Sequence, residues 1–277
     1  MKIEIAKSIG FCSGVMRAVK KAEQTAHKYG KVQMFGDIVH NSIVVDRLAK
    51  LGVIVIEKSE DIDPELPILL RSHGTSLETE KNLGIEGYQI IDATCPLVKE
   101  IHETALNLEL NQRQVIIIGD HGHDEVVGIA SRLKKPQIIN SIDEVKIVKH
   151  NKKIGVVVQS TQNIDDVKTI FTELLDKSED IHFVNTICNP TRTRQNEIVK
   201  IARNNDLVLI VGSKNSANTK RLYELSKSIN PNSHQVETSD DLDSQLFNNI
   251  NSIGISSGAS TPISLVESIK KSIENNF

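Results

Sequence analysis

ATCPLVKEIHETALNLELNQRQVIIIGDHGH, residues Ala93–His123, holds the pattern from which the fold follows. Pro96 suits the first turn of a helix, and Val98, Ile101, Ala105 and Leu108 fall on one apolar helical face. Val115-Ile116-Ile117-Ile118 is a short unbroken apolar run, as expected of a strand buried on both faces of a parallel sheet. The passage therefore reads cysteine, helix, buried strand, polar loop. His123 stands twenty-eight residues beyond Cys95.

The same passage occurs twice more. Cys12, in Gly10-Phe11-Cys12-Ser13-Gly14, is followed by Val15, Ala18, Ala22, Ala26 and Tyr29 at helical spacing, with Gly30 placed to close the helix. Cys188, in Thr186-Ile187-Cys188-Asn189-Pro190, is followed by Ile198, Ile201 and Ala202. The strands that come next are Val32–Phe35 and Leu207–Val211, and residues His40 and Ser216 again lie twenty-eight beyond their cysteines. Each third then carries a second strand and polar loop, ending at His73, at Ser160 and at Ser260. Alternation of helices with buried strands predicts an α/β protein of three similar α/β domains. Their boundaries are read as 13–95, 96–188 and 189–277, with 1–12 joining the third. Ligands of such units lie outside the carboxyl ends of the strands. An approximate threefold arrangement would bring the loops and the cysteines together.

Composition narrows the function. The chain has 277 residues, 39% apolar and 25% charged, with net charge -3, ordinary values for a globular protein. This charge balance excludes nonspecific nucleic-acid binding by bulk charge. Aromatic residues make up 3% with no Trp, which disfavours a stacking surface for single strands. Three widely separated cysteines form neither a disulfide framework nor a zinc finger. The first residues lack the apolar core of a signal peptide, and no apolar run reaches the ~18 residues of a membrane span. A cytoplasmic protein with reduced thiols and no membrane partner is expected.

Three converging thiolates would leave a metal centre one ligand short of closure. That fits a catalytic zinc with an open position or an iron–sulfur cluster with one iron lacking a cysteine. The loops around them carry His40, His73, His123, Ser216, Asn218, Ser257 and Ser260, mostly at helix starts, where N–H groups favour phosphate. The Gly-x-x-x-x-Gly-Lys-Ser/Thr pattern of nucleotide hydrolysis is missing, so a small phosphorylated or diphosphorylated substrate fits best. Glu125, two residues after His123, has two readings: a proton relay in a dry pocket, or a first-turn glutamate that complements the helix dipole. Thr161 is placed to orient a hydroxyl or pass a proton. His27, His102, His150, His182 and His234 read as structural.

The motifs together resemble the LytB/IspH family of 4-hydroxy-3-methylbut-2-enyl diphosphate reductases over nearly the whole length. They are Gly10–Val15, Val39-His40-Asn41, Ser72-His73-Gly74, Asp92–Val98, His123–Val126, Val211–Ser216 and Gly258–Pro262. The resemblance implies a trefoil around a 4Fe-4S cluster held by Cys12, Cys95 and Cys188. It implies diphosphate binding by His40, His73, His123, Ser216, Asn218 and Ser260, with Ser160 as a further substrate contact. Glu125 matches the family's proton-delivery residue and Thr161 its partner near the substrate hydroxyl. The family removes that hydroxyl reductively, giving isopentenyl and dimethylallyl diphosphate as the last step of the non-mevalonate isoprenoid pathway. Its electrons come from reduced ferredoxin or flavodoxin, and the expected state is a monomer. Asp124 stands where the family often has proline, Ala217 where some relatives have serine, and Ser160 where threonine is frequent. A non-redox dehydratase using iron only as a Lewis acid is the alternative enzyme, and an iron–sulfur sensor the alternative outside catalysis.

Overall fold

A computed structural model describes residues 1–276. Twelve strands among these residues form three four-stranded sheets, and every strand pair is parallel. The strands are β1 (Lys2–Ile5), β2 (Val32–Phe35), β3 (Val53–Ile56), β4 (Ile68–Leu70), β5 (Ile90–Asp92), β6 (Gln114–Ile118), β7 (Gln137–Ile139), β8 (Lys153–Val158), β9 (Asp180–Phe183), β10 (Leu207–Val211), β11 (Ser233–Val236) and β12 (Ser252–Ser257). The helices are α1 (Ser13–Tyr29), α2 (Ser42–Ala49), α3 (Leu77–Ile85), α4 (Pro96–Leu110), α5 (Asp124–Ala130), α6 (Ile142–Lys146), α7 (Ile164–Leu174), α8 (Asn189–Asn204), α9 (Ala217–Ile229) and α10 (Ile263–Asn276).

The three sheets share one order. It runs β3-β2-β4-β5 in the first, β7-β6-β8-β9 in the second and β11-β10-β12-β1 in the third. Strand β1 therefore takes the edge place that β5 and β9 fill elsewhere, pairing Ile3 with Ile253 and Ile5 with Ile255 of β12. Each cysteine follows this edge strand and precedes a helix: β5 leads to Cys95 and α4, β9 to Cys188 and α8, β1 to Cys12 and α1. The sequence pattern identifies the two central strands of every sheet. It misses the outer strands β1, β3, β5, β7, β9 and β11, which are short or half-polar.

The chain divides into two compact units. Residues 1–16, 39–47 and 189 onward contain the third sheet, and residues 17–38 and 48–188 contain the first and second. The central strands are apolar without alternation because both faces are covered. On β10, Leu207, Leu209 and Val211 pack with Val266, Ile269 and Ile273 of α10, while Val208 and Ile210 pack with Ile198, Ile201 and Ala202 of α8. On β6, Ile116 and Ile118 meet Val167, Ile170 and Leu174 of α7, and Val115 and Ile117 meet Ile101, Ala105 and Leu108 of α4. Each fully buried side chain of this kind contributes about 1.5–3 kcal/mol. No helix among the described residues is long and apolar enough to cross a membrane.

The helix that follows Cys95 or Cys188 lies unusually close to its sheet. A Cβ at Gly155 of β8 would stand 2.9 Å from Leu108 Cβ of α4, and one at Gly254 of β12 would stand 2.2 Å from Ile201 Cγ2 of α8. Both glycines are third in their strands, so two repeats use the same device to seat the helix. Gly254→Ala should therefore destabilise by about 1–3 kcal/mol through overpacking, read as a lower denaturant midpoint with an unchanged slope. An unaltered midpoint would show that α8 yields freely.

Candidate active site

In a parallel sheet all strands end at one edge, and there the chain turns into helix N-termini. The three cysteines occupy such turns, and all are half-buried. The Cys95 N–H donates to the Ser72 carbonyl at 2.9 Å, the Cys188 N–H to Ser160 at 3.0 Å and the Cys12 N–H to Ala259 at 3.0 Å. Each bond joins the cysteine to the carbonyl immediately before His73, Thr161 or Ser260. The repeat register thus pairs Thr161, not Ser160, with His73 and Ser260. Cys95 is the N-cap of α4, with Pro96 in the first turn. Helix starts favour negative charge, and the Val15 N–H points at Cys12 Sγ from 3.4 Å.

In the unit that contains Cys12, the loop before it is pinned from α8. Arg194, buried, donates to the carbonyls of Ser8 at 2.9 Å and Gly10 at 2.7 Å. Glu197 accepts from the Ser8 N–H and Oγ, both at 2.9 Å. Ser216 caps α9, its Oγ accepting from the Thr219 N–H at 3.4 Å. Ser216, Asn218 and Ser260 are all buried. Among the described residues, Asn218 Nδ2, Ser260 Oγ and Thr219 Oγ1 find no hydrogen-bond partner. Buried polar atoms of this kind are rare unless a polar ligand answers them. The cap of α2 is Asn41, whose Oδ1 accepts from the Val44 N–H at 3.3 Å. His40 thus sits one residue before the cap, whereas His123 and Ser216 are caps themselves, and the twenty-eight-residue register slips by one there.

The other unit brings His73, His123, Glu125, Ser160 and Thr161 to strand exits of the first and second sheets. His123 caps α5, its Nδ1 accepting from the Glu125 N–H at 3.2 Å. A neutral imidazole accepting at Nδ1 carries its hydrogen on Nε2. The His73 and His123 rings meet edge to face, centroids 5.7 Å apart. Glu125 is 1% exposed. Its Oε1 accepts from the Ser160 N–H at 2.6 Å and its Oε2 from Ser160 Oγ at 2.7 Å. Burial raises the Glu125 pKa above the usual carboxylate range. The two Ser160 bonds oppose that shift, and the nearby Asp120 charge adds to it. Glu125 is thus buried in the first turn of α5 rather than presented to solvent there. Ser160, expected as a substrate contact, directs its N–H and Oγ at Glu125. Thr161 Oγ1 accepts from Gln159 Nε2 at 2.9 Å, and Gln159 Oε1 accepts from the Asp120 N–H at 2.8 Å.

Residues overlooked in the sequence also support the site. Arg71 pairs with Asp124 and holds the His73 turn. Arg194 sits six residues past Cys188 on the buried face of α8. Charged residues inside otherwise buried segments are the signal that marks both. Among the histidines read as structural, His102 is buried and its pKa is lowered to about 4, chiefly by desolvation.

Known proteins match along the whole chain. The family described as LytB protein matches residues 3–274. A 4-hydroxy-3-methylbut-2-enyl diphosphate reductase of Aquifex aeolicus is 38% identical, covering 98% of this chain and 96% of that protein. One of Geobacter metallireducens is 38% identical, covering 97% and 95%. A solved structure of the Plasmodium falciparum reductase superposes with TM-score 0.94 at 31% identity, covering 99% of this chain and 87% of that one. A second solved structure, described as the terminal enzyme of the non-mevalonate pathway, gives TM-score 0.72 at 37% identity, covering 99% and 100%.

The raised pKa of Glu125 has a consequence for stability. Below the unfolded value, about 4.3, both states hold the proton and the group is neutral to folding. As pH rises, the unfolded state ionises first and the folded state loses stability until its own pKa is passed. Glu125→Gln removes that loss, so its melting temperature relative to the native chain should climb between pH 5 and pH 8. A difference that stays constant over this range would place the Glu125 pKa at its ordinary value.

Proposed function

The chain belongs to the LytB protein family, and from that premise we propose how its own residues reduce 4-hydroxy-3-methylbut-2-enyl diphosphate, the reaction of the terminal enzyme of the non-mevalonate pathway. The overall change is loss of the hydroxyl as water with uptake of two electrons and two protons, giving isopentenyl and dimethylallyl diphosphate. Cys12, Cys95 and Cys188 are assigned as the three thiolates of a 4Fe-4S cluster. An all-thiolate set at three equivalent helix starts, each with its backbone fixed by one carbonyl, fits that group. When bound, the cluster supplies electrons and Lewis acidity at the iron that lacks a cysteine. Reduced ferredoxin or flavodoxin is the proposed donor to a monomeric, cytoplasmic chain. The proposed domains are 13–95, 96–188 and 189–277 with 1–12.

The protein's own groups do the rest. His40, His73, His123, Ser216, Asn218 and Ser260 take the diphosphate. Support comes from Asn218 Nδ2 and Ser260 Oγ, buried and without a partner among the described residues. Glu125, whose pKa burial raises, hands a proton to the departing hydroxyl, and Thr161 orients that hydroxyl. Ser160 fixes both Glu125 oxygens. The observation that carries the assignment is this carboxyl, 1% exposed, beside His123 and tied by Ser160 to the loop that also anchors Cys188.

The test is anaerobic reconstitution followed by turnover of 4-hydroxy-3-methylbut-2-enyl diphosphate with and without reductant. Strict reductant dependence is expected; turnover without it would indicate a dehydratase. Glu125→Gln should lower kcat by about 100-fold or more, the typical contribution of a positioned acid, with iron content and diphosphate affinity near native. Near-native kcat would remove Glu125 from the proton path.

A further inference from the structure

Three strand exits of one unit meet at a single guanidinium. Arg71 directly follows β4, and its Nη1 donates to Asp124 Oδ2 at 2.6 Å. Its Nε donates to the Gly74 carbonyl at 3.3 Å, closing the turn that presents His73. The same Nη1 lies where a side chain at Gly36, the exit of β2, would stand, 2.7 Å from a Cβ there. Gly36 has φ +70 and so leaves both the backbone path and the space that the guanidinium fills. Asp124 opens α5, between the cap His123 and Glu125. The side chains of Arg71 and Asp124 are 19% and 22% exposed, so solvent screens this pair less than a surface pair.

We propose that the Arg71–Asp124 pair is a positioning device that locks the His73 turn to the start of α5, setting the spacing of His73 from His123 for one diphosphate. The pair does not touch the reacting atoms. The 5.7 Å edge-to-face contact of the two rings is the geometry it maintains. The two partners of this charge pair lie fifty-three residues apart in sequence, so the contact is made by the fold and not by local structure. Arg71 also neutralises Asp124, a carboxylate that would otherwise repel a diphosphate beside His123. The inference rests on the diphosphate reading of His73 and His123.

The test is a double-mutant cycle of Arg71→Gln and Asp124→Asn in the anaerobically reconstituted enzyme. It reads pyrophosphate affinity by calorimetry, and KM and kcat separately. Each single change should weaken pyrophosphate and raise KM by about fivefold, with kcat within about twofold. The double variant should be no worse than the worse single, because both remove one tether. Asp124→Glu should recover most of the affinity lost in Asp124→Asn. Multiplying effects in the double variant, or unchanged affinity in both singles, would overturn the proposal. If Arg71→Gln does not fold, Arg71→Lys serves: it keeps the charge but lacks the fork that reaches both partners, and the same loss is expected. His73→Asn separates the two ideas. Unchanged pyrophosphate affinity there defeats the diphosphate reading, while a loss there without one in Arg71→Gln defeats only the tether.

Discussion

One backbone hydrogen bond, made three times, holds the chemistry to the fold. The N–H of each cysteine donates to the carbonyl that ends the neighbouring strand, at Ser72, Ser160 or Ala259. Parallel pairing forces all strands of a sheet to end at one edge, so an outer strand delivers its cysteine beside the loop leaving the central one. The bond then fixes the thiol and the polar residue after the carbonyl as one rigid step. That step recurs although the loops between differ in length. The third sheet even takes its outer strand, β1, from the other end of the chain.

Around this frame, burial selects the behaviour of each side chain. Asp124 and Glu125 are adjacent and both sit in the first turn of α5. Asp124 reaches a guanidinium, whereas Glu125 turns inward, where desolvation favours its proton. The bonds from Ser160 keep Glu125 from being left unsatisfied, the costly outcome for a buried carboxyl. In the unit holding Cys12, two ionic residues of α8 anchor the loop from below. Asn218 and Ser260 keep polar atoms unanswered there, a local cost that a bound diphosphate would offset.

Local patterns made much of this legible in the sequence. Gly30 closing α1 at φ +75, Pro96 opening α4, and the unbroken apolar runs of β6 and β10 each depend on neighbouring residues alone. The register of equivalent loops was less secure. Ser160 and Thr161 are adjacent polar residues, and only the carbonyl that receives the Cys188 N–H shows which of them corresponds to His73. His40 likewise looked equivalent to His123 until the cap of α2 proved to be Asn41. Offsets along a chain count residues, whereas caps count hydrogen bonds, and at α2 the two differ by one residue.

The sequence by itself determined the three-part α/β plan and singled out the residues proposed to bear the chemistry, because each repeat encodes its helix, buried strand and loop within about thirty positions, a span set by local propensity and periodicity. Only the tertiary structure decided which of those residues are charged, buried or paired. Glu125 meets Ser160 across thirty-five positions and Arg71 meets Asp124 across fifty-three. Desolvation and ion pairing depend on distance in space, which no local pattern encodes.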